Sequence, residues 1–383
     1  MLSDVPVGFF LSGGLDSSAV VAMAKRANPN AKLRCYTIDS GDQMITEGFS
    51  NDLVYAHKVA KYLDVDLHVV KGHIDILKDF DEMVYHLDEP QADVAPLHVL
   101  NICKQARQDG FIVLLGGTGG DDLFSGYRRH QALNYEGYFR VIPKFCTQIL
   151  KILSDAVKTA NPRFRRIKKI IAELDKKPLE RLVGYFSWIP LETAKSLFAP
   201  TIRQKIGDYD PLNILKNALQ NIPNEKSDLN KMLFLEMKYF LCDHNLNYTD
   251  KLSMATGIEV RVPFLDKELV EFSTQIPPKL KMKGMTTKYL LKKVMEKYLP
   301  HDVIYRKKAG FGAPVRQWIV GELDNTIETL FSKEMVERRG IFNYDAIHEI
   351  VAQNKSNKID GSYTILSLLA IESWLEQFSQ IVT

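Results

Sequence analysis

The residues best suited to bind an anion lie at positions 12–18, where the chain reads Ser-Gly-Gly-Leu-Asp-Ser-Ser. Gly13 and Gly14 allow a tight turn that brings the backbone close to a ligand. The residues after this turn open a helix, so unpaired backbone N–H groups and the positive end of the helix dipole point to one place. Three hydroxyl groups can add hydrogen bonds there, those of Ser12, Ser17 and Ser18. The stretch therefore predicts a site for a phosphate or a pyrophosphate.

A second glycine-rich stretch, Gly-Gly-Thr-Gly-Gly at positions 116–120, is followed by Asp121 and Asp122. Alone, it is equally typical of an ordinary turn closed by a helix N-cap aspartate. If the strands before the two stretches are neighbours, Asp121 faces Asp16 across the phosphate site. Two carboxylates beside a triphosphate are the hard oxygen ligands that Mg²⁺ requires. Together the two stretches predict a site for ATP and Mg²⁺.

Strand-like and helix-like segments alternate over the first third of the chain. Short apolar segments typical of buried strands occur at 5–11, 33–38, 67–70 and 111–115, with helical periodicity between them. This alternation predicts an α/β fold with a parallel sheet and helices on both faces. Ligands bind such sheets at the carboxyl ends of the strands, which places Ile38 near an adenine ring. From about residue 135 the chain is helix-rich, with one amphipathic helix expected over 229–241.

Composition and charge argue against several classes of protein. The 383 residues suffice for one large or two ordinary domains, and the net charge of +3 is too small to indicate nucleic-acid binding. A basic cluster at 161–169 is more typical of a solvated helix face than of RNA contact. The four cysteines are widely spaced, which is typical of reduced thiols in a cytoplasmic protein and not of a zinc site. The sequence shows no apolar run long enough to span a membrane and no signal peptide.

The first stretch resembles the PP-loop of the ATP pyrophosphatases, which split ATP into AMP and pyrophosphate. Three later blocks, at 247–255, 259–266 and 305–314, are similar to those of the C-terminal synthetase domain of glutamine-hydrolysing asparagine synthetases. The resemblance covers nearly the whole chain. It implies a PP-loop core, like that of the adenine nucleotide alpha hydrolases, over 1–135 and a helical part of the same domain over 136–383, without an N-terminal glutaminase domain. It also implies a carbon–nitrogen ligase of asparagine biosynthesis, which activates a carboxylate such as aspartate as acyl-AMP and amidates it with ammonia.

The resemblance also assigns roles to individual residues. The residues matching the pyrophosphate loop are Ser12, Gly13, Gly14, Asp16, Ser17 and Ser18. Further ATP-binding positions are Leu11, Ile38, Gly116 and Gly117. Asp16 and Asp121 match the Mg²⁺ carboxylates. Lys308 matches a lysine that contacts the phosphates during adenylation, where a cation stabilises the charge that builds on the α-phosphate.

One residue and one segment depart from the pattern of that family, and both lie where the acceptor should bind. Thr118 stands where the asparagine synthetases have a glutamate implicated in forming the acyl-adenylate and in handling ammonia. Threonine cannot act as a base near neutral pH, so our hypothesis is that Asp122, or another carboxylate such as Asp93, takes that role. The segment 88–97 also lacks the Ser-Thr-Pro-Met usual there. Alternatives therefore stay open: amidation of a sugar acid in surface-polysaccharide biosynthesis, an ATP-binding subunit without catalysis, and an RNA-modifying PP-loop enzyme.

The expected partners are small molecules, a carboxylate and ammonia. Glutamine-using relatives begin with a cysteine nucleophile, whereas this chain begins with Met1 and Leu2. We therefore expect ammonia to come from solution or from a separate glutaminase subunit. A homodimer is compatible with the sequence, neither nucleic acid nor a membrane is an expected partner, and the expected location is the cytoplasm.

Overall fold

Five strands form one sheet in the computed structural model, which describes residues 2–39, 52–71, 76–139, 149, 171, 176–223, 226–306 and 314–378. The strands are β1 (Val7–Phe10), β2 (Arg34–Asp39), β3 (Asp66–Lys71), β4 (Val113–Leu115) and β5 (Glu259–Arg261). All neighbouring strands are parallel, in the order β3-β2-β1-β4-β5. The first four strands correspond to the predicted ones, whereas β5 lies in the part of the chain predicted to be helix-rich.

Helices account for most of the other described residues. The first six are α1 (Leu15–Ala27), α2 (Asp52–Leu63), α3 (Ile76–Leu87), α4 (Ala95–Gln108), α5 (Gly120–Phe124) and α6 (Arg128–Phe139). Next come α7 (Pro178–Gly184), α8 (Leu191–Ser196), α9 (Pro200–Ile206), α10 (Asn213–Gln220), α11 (Asp228–Leu235), a π-helix (Glu236–Leu246), α12 (Asn247–Ala255) and a 3₁₀ helix (Pro263–Leu265). The last nine are α13 (Lys267–Gln275), α14 (Pro278–Lys281), α15 (Tyr289–Met295), α16 (His301–Ile304), α17 (Val315–Val320), α18 (Asp324–Leu330), α19 (Lys333–Arg339), α20 (Tyr344–Lys355) and α21 (Ser362–Phe378). None of these described helices is both long enough and apolar enough to cross a bilayer.

The winding direction of the sheet reverses between β1 and β4. The chain runs outward from β1 through β2 to β3, and then returns to place β4 on the other side of β1. A parallel sheet binds ligands in the crevice at such a reversal, beyond the carboxyl ends of the strands. The two glycine-rich stretches directly follow β1 and β4, so both lie at this crevice.

Helices cover both faces of the sheet, as predicted for this α/β fold. Successive side chains of a strand point to opposite faces, and the buried side chains accordingly form two clusters. One cluster joins Phe9 of β1 to Val21 of α1 and Val59 of α2. The other joins Tyr36 of β2 to Ile102 of α4. Because each face is sealed by helices, the open edge at the carboxyl ends of the strands is where a ligand reaches the sheet.

The chain divides into two compact units, each assembled from three separate stretches. The first comprises Met1–Ile74, Val94–Asn134 and Ser227–Ala313, and it contains the five-stranded sheet. The second comprises Asp75–Asp93, Tyr135–Lys226 and Pro314–Thr383, and its described residues are mainly helical. The boundary expected at residue 135 stays a prediction.

Within the second unit, helix α21 packs along α3. Trp374 Nε1 donates a hydrogen bond to the carbonyl oxygen of Asp88 at 2.8 Å, just beyond the end of α3. Ser373 Oγ donates to Asp81 Oδ1 at 2.6 Å. These polar contacts fix the relative position of two helices that are far apart in sequence.

Candidate functional site

The first glycine turn (residues 12–18) and the second glycine turn (residues 116–121) lie within direct reach of each other. A Cβ placed on Gly117 would lie 2.6 Å from the backbone N of Ser17, and one placed on Gly120 would lie 2.6 Å from Cγ of Asp16. Both distances are shorter than a side chain tolerates, so only glycine fits at these two positions. The backbones of the two turns can therefore contact one ligand together.

Local hydrogen bonds hold the first glycine turn in shape. The backbone N of Ser12 donates to Ser17 Oγ at 3.2 Å, and the backbone N of Gly14 donates to Ser12 Oγ at 3.3 Å. The two serine hydroxyl groups are 3.1 Å apart. Gly13 has a left-handed backbone with φ of +68°. Ser18 is fully buried in the first turn of α1, and its Oγ makes no hydrogen bond to a described residue. The turn thus combines several polar groups with the start of a helix.

The other predicted ATP-binding positions lie at the same edge of the sheet. Leu11 directly follows β1 and is buried, and its backbone N donates to the carbonyl oxygen of Tyr36 at 2.8 Å. Ile38 is the next-to-last residue of β2 and is also buried. Gly116 directly follows β4, and its backbone N donates to the carbonyl oxygen of Arg261 at 2.8 Å. Because β1, β2 and β4 are parallel, their carboxyl ends bring these positions together.

The aspartates of the two turns converge on one cation, the ammonium group of Lys288. Its Nζ lies 2.6 Å from Asp121 Oδ1 and also contacts Asp16 Oδ2. The lysine is buried, which alone would lower its pKa, but the charges of Asp121 and Asp16 raise the pKa of Lys288 above its usual range. Lys288 therefore carries a positive charge near neutral pH.

Two backbone features bring Lys288 to this position. Lys288 precedes α15 with a left-handed φ of 51°, a conformation that is costly for a residue with a side chain. Gly126 leaves the space that the contact needs, because a Cβ on it would lie 1.7 Å from Asp121 Oδ1 and 2.2 Å from Lys288 Cε. The sequence analysis missed Lys288, since neither its conformation nor its neighbours are visible in a local motif.

The same geometry allows a test of whether Mg²⁺ fits these residues. Two carboxylates that converge on one ammonium group can also converge on a metal ion, and carboxylate oxygens are the ligands that Mg²⁺ takes. Within the described part of the chain, no three or more His, Cys, Asp or Glu residues form a metal-binding group. The donor set of Asp16 and Asp121 thus fits an ion that takes its remaining ligands from phosphate and water.

A second cation lies beside the first glycine turn. The guanidinium of Arg306 forms an ion pair with Asp52 at 3.0 Å and lies 4.6 Å from the centre of the Tyr55 ring. Its Nη2 would be 3.7 Å from a Cβ placed on Gly14, so the guanidinium borders the turn itself. Lys308, for which the family resemblance implies a catalytic role, lies outside the described residues.

The carboxylates considered as substitutes for the family glutamate have different surroundings. Asp122 is 1% exposed, and the hydroxyl of Tyr127 donates to its Oδ1 at 3.2 Å. Asp93 belongs to the second unit of the chain. Thr118 lies in the second glycine turn, next to Gly119, whose φ is +98°. The hypothesis that Asp122 or Asp93 takes over the role of the glutamate stays a prediction.

Comparisons with known proteins identify relatives along nearly the whole chain. A family model described as asparagine synthase matches residues 1–376. Asparagine synthetase (glutamine-hydrolyzing) 1 of Bacillus subtilis is 30% identical over 379 residues, which cover 98% of this chain and 56% of the relative. A putative glutamine-hydrolyzing asparagine synthetase of Mycobacterium tuberculosis is 27% identical over 387 residues, covering 98% of this chain and 55% of the relative.

A fungal protein with a different name is also similar. Amidase chyE of Penicillium rubens is 25% identical over 379 residues, which cover 91% of this chain and 55% of the relative. The chain spans about half the length of the curated relatives it matches. The family model nevertheless spans residues 1–376, which is nearly the whole chain. The chain therefore belongs to the asparagine synthase family.

Proposed function

We propose that the chain is the synthetase part of an ATP-dependent, AMP-forming ligase that converts a carboxylate into an amide. The observation that carries the proposal is the contact between two glycine turns whose aspartates, Asp16 and Asp121, converge on Lys288. Such a place suits a polyphosphate, because it combines backbone amides, hydroxyl groups and fixed charges. Membership of the asparagine synthase family supports ATP as the donor of the adenylyl group.

The reaction has two steps. An oxygen of the acceptor carboxylate first attacks the α-phosphorus of ATP, which gives an acyl-AMP and releases pyrophosphate. The nitrogen lone pair of ammonia then attacks the acyl carbon, AMP leaves with the electrons of the C–O bond, and the nitrogen loses a proton. Adenylation replaces a poor leaving group by a good one, so the protein has mainly to position the reactants and stabilise charge.

The described residues divide these tasks among them. The backbone N–H groups at the start of α1 and the hydroxyls of Ser12 and Ser17 would hold the pyrophosphate group. Lys288 and Arg306 supply two fixed cations beside the same turn. Asp16 and Asp121 would hold Mg²⁺, which when bound neutralises phosphate charge.

The proposed acceptor is a carboxylate of the aspartate type, and two observations favour a second candidate class. By the family resemblance, Thr118 stands where the asparagine synthetases have a glutamate. One similar fungal protein, Amidase chyE, is named an amidase and not an asparagine synthetase. A sugar acid or another carboxylate is therefore the alternative acceptor. Ammonia would come from solution or from a separate glutaminase subunit.

Pyrophosphate release tests the proposal directly. The purified chain is incubated with ATP, Mg²⁺, ammonia and one of a panel of carboxylates, and pyrophosphate and AMP are quantified together. Release with aspartate supports the first acceptor class, and release only with a uronate supports the second. ATP binding without release for any carboxylate would instead indicate a subunit without catalysis, and release that requires tRNA would indicate an RNA-modifying enzyme.

The role of Lys308 is tested in the same assay. Lys308→Ala is expected to lower the rate of pyrophosphate release more than the affinity for ATP, because charge builds on the α-phosphate only during attack. Lys267→Ala is the matched control, since Lys267 is an exposed residue of α13 whose side chain is 87% accessible. An unchanged rate in Lys308→Ala would remove this lysine from the site.

A further inference from the structure

Helix α5, which carries Asp121 and Asp122, is too short to hold its own position. It has only five residues, and isolated helices of that length do not form in water. Left-handed residues flank it on both sides, Gly119 with φ of +98° and Ser125 with φ of +66°. Contacts from elsewhere in the fold must therefore fix the direction of its two carboxylates.

One such contact is the hydroxyl group of Tyr127. It donates to the Asp122 carboxylate, at 3.2 Å from Oδ1 and 3.4 Å from Oδ2. It also accepts a hydrogen bond from Nδ2 of Asn245 at 3.0 Å. Burial, followed by the negative charge of Asp122, raises the pKa of Tyr127 well above its usual value. The phenol therefore stays protonated and keeps donating to Asp122.

The ring of Tyr127 is held in turn by Arg129. The guanidinium carbon of Arg129 lies 4.6 Å from the centre of the Tyr127 ring and 4.3 Å from that of Phe240, so it is placed against both rings. Arg129 also forms a two-point ion pair with the fully buried Glu236. His130 Nε2 lies 3.1 Å from the same carboxylate. Burial would raise the pKa of Glu236, but the hydrogen bonds from His130 and Arg129 lower it, so Glu236 remains charged.

Glu236 and Asn245 belong to one unusual helical element. The amphipathic helix predicted over 229–241 is α-helical only to Leu235 and then becomes a π-helix from Glu236 to Leu246. Glu236 is the first residue of this π-helix and Asn245 is its next-to-last. Such wide turns are rare and often occur at functional sites. Here Asn245, near one end of the π-helix, bonds to Tyr127 directly, and Glu236, at the other end, holds Arg129 against the Tyr127 ring.

We propose that Tyr127 is a positioning residue for the carboxylates of α5, and that Arg129, Glu236 and Asn245 hold Tyr127 in place. Tyr127 does not touch the reactants in this proposal. It fixes Asp122, and through the short helix it fixes Asp121, which faces Asp16. The inference rests on the proposed function, because it assigns Tyr127 to the same metal-dependent ATP site.

The test compares Tyr127→Phe with Tyr36→Phe. Each change removes one partly buried hydroxyl that donates to an aspartate in the first unit, since Tyr36 donates to Asp109 Oδ2 at 2.9 Å. Calorimetry measures ATP affinity with and without Mg²⁺, and thermal melting measures the structural cost. We expect Tyr127→Phe to weaken ATP binding about 10-fold with Mg²⁺ and less than about twofold without it, because groups that support a metal site from outside its ligand set tune metal affinity by about this factor. Tyr36→Phe should show the same drop in melting temperature and no Mg²⁺-dependent loss.

The outcomes separate this inference from the proposed function. If the wild type binds ATP with Mg²⁺ but no carboxylate supports turnover, the proposed function fails while the comparison of the two tyrosines still stands. If both tyrosine variants lose the same ATP affinity, or if the wild type shows no Mg²⁺-dependent ATP binding, the inference is overturned. Should Tyr127→Phe fail to fold, Arg129→Lys replaces it, because lysine keeps the charge but loses the two-point pairing with Glu236. The Mg²⁺-dependent loss is then expected in that variant, and its absence overturns the inference.

Discussion

The two glycine turns meet at one place but are held by different means. The first is held by contacts within residues 12–18, chiefly those between Ser12 and Ser17, and is continued by the 13-residue helix α1. The second is continued by a helix of five residues and depends on Lys288 and Tyr127. A local motif can therefore specify the first turn, whereas the second requires residues that come together only on folding. Substitutions in and around each turn test this difference.

The largest effect is expected when either turn loses its carboxylate charge. Asp16→Asn and Asp121→Asn should each lower the rate of pyrophosphate release by at least about 100-fold, because both remove charge that would hold the metal beside the phosphates. A pyrophosphate-coupled assay with saturating ATP measures this loss. Asp66→Asn is the control, since Asp66 is 61% exposed and pairs with Arg34 on the edge of the sheet. Near-normal turnover in either test variant would show that its turn does not contribute a metal ligand.

Removing the cation that joins the two turns should mainly affect stability. Lys288→Met leaves Asp16 and Asp121 facing each other in a partly buried position, which should lower the free energy of unfolding by about 3–5 kcal/mol. Mg²⁺ should restore part of that loss, because it can take the place of the lost charge. Denaturant unfolding with and without Mg²⁺ measures both effects, with the exposed Lys293→Met as control. A loss under about 1 kcal/mol, within the range typical of surface ion pairs, would contradict the joining role.

Arg306 tests whether the first turn also depends on a distant residue. Arg306→Met is expected to weaken binding of inorganic pyrophosphate with Mg²⁺ by about 10-fold, the loss of one hydrogen bond to a charged group. Calorimetry with pyrophosphate and Mg²⁺, in the absence of ATP and carboxylate, measures this affinity without requiring turnover. Arg26→Met is the control, because Arg26 contacts Tyr298 on the surface at 2.8 Å and is not near the turn residues. Equal pyrophosphate affinity in the two variants would show that the first turn binds pyrophosphate without help from Arg306.

The smallest effect is expected within the first turn. Ser17→Ala removes the hydrogen bonds of one hydroxyl with Ser12 and Gly14, which should cost about 1 kcal/mol of stability. Pyrophosphate affinity should fall only a few-fold, since the backbone amides remain. Ser273→Ala is a matched control, because that buried hydroxyl donates to the carbonyl oxygen of Val270 at 2.7 Å outside the turns. If Ser17→Ala abolishes binding, the turn depends on this side chain far more than its geometry indicates.

The α/β fold could be predicted from sequence because buried parallel strands are short apolar runs separated by periodic helices. The segment Leu33–Ile38, for example, forms β2 within one residue of its predicted ends. The strand β5 was not visible in this way, because Glu259–Arg261 has only three residues and one of its side chains is an exposed glutamate. It becomes a strand by pairing with β4, a partner about 145 residues earlier in the chain. The π-helix was missed as well, because the helical pattern of 229–241 does not reveal where i→i+4 hydrogen bonds give way to i→i+5 hydrogen bonds.

What the sequence determined by itself is the first glycine turn, the alternation of strands and helices, and the family to which the chain belongs. Each depends on neighbouring residues, so spacing alone carries the information. Only the folded chain reveals that Lys288 joins Asp16 to Asp121, and that Asn245 near one end of the π-helix bonds to Tyr127. Glu236 at the other end of the π-helix pairs with Arg129, which lies against the Tyr127 ring. These ion pairs and this hydrogen bond join residues more than 100 positions apart, and their energies depend on burial and distance, which a linear sequence does not record.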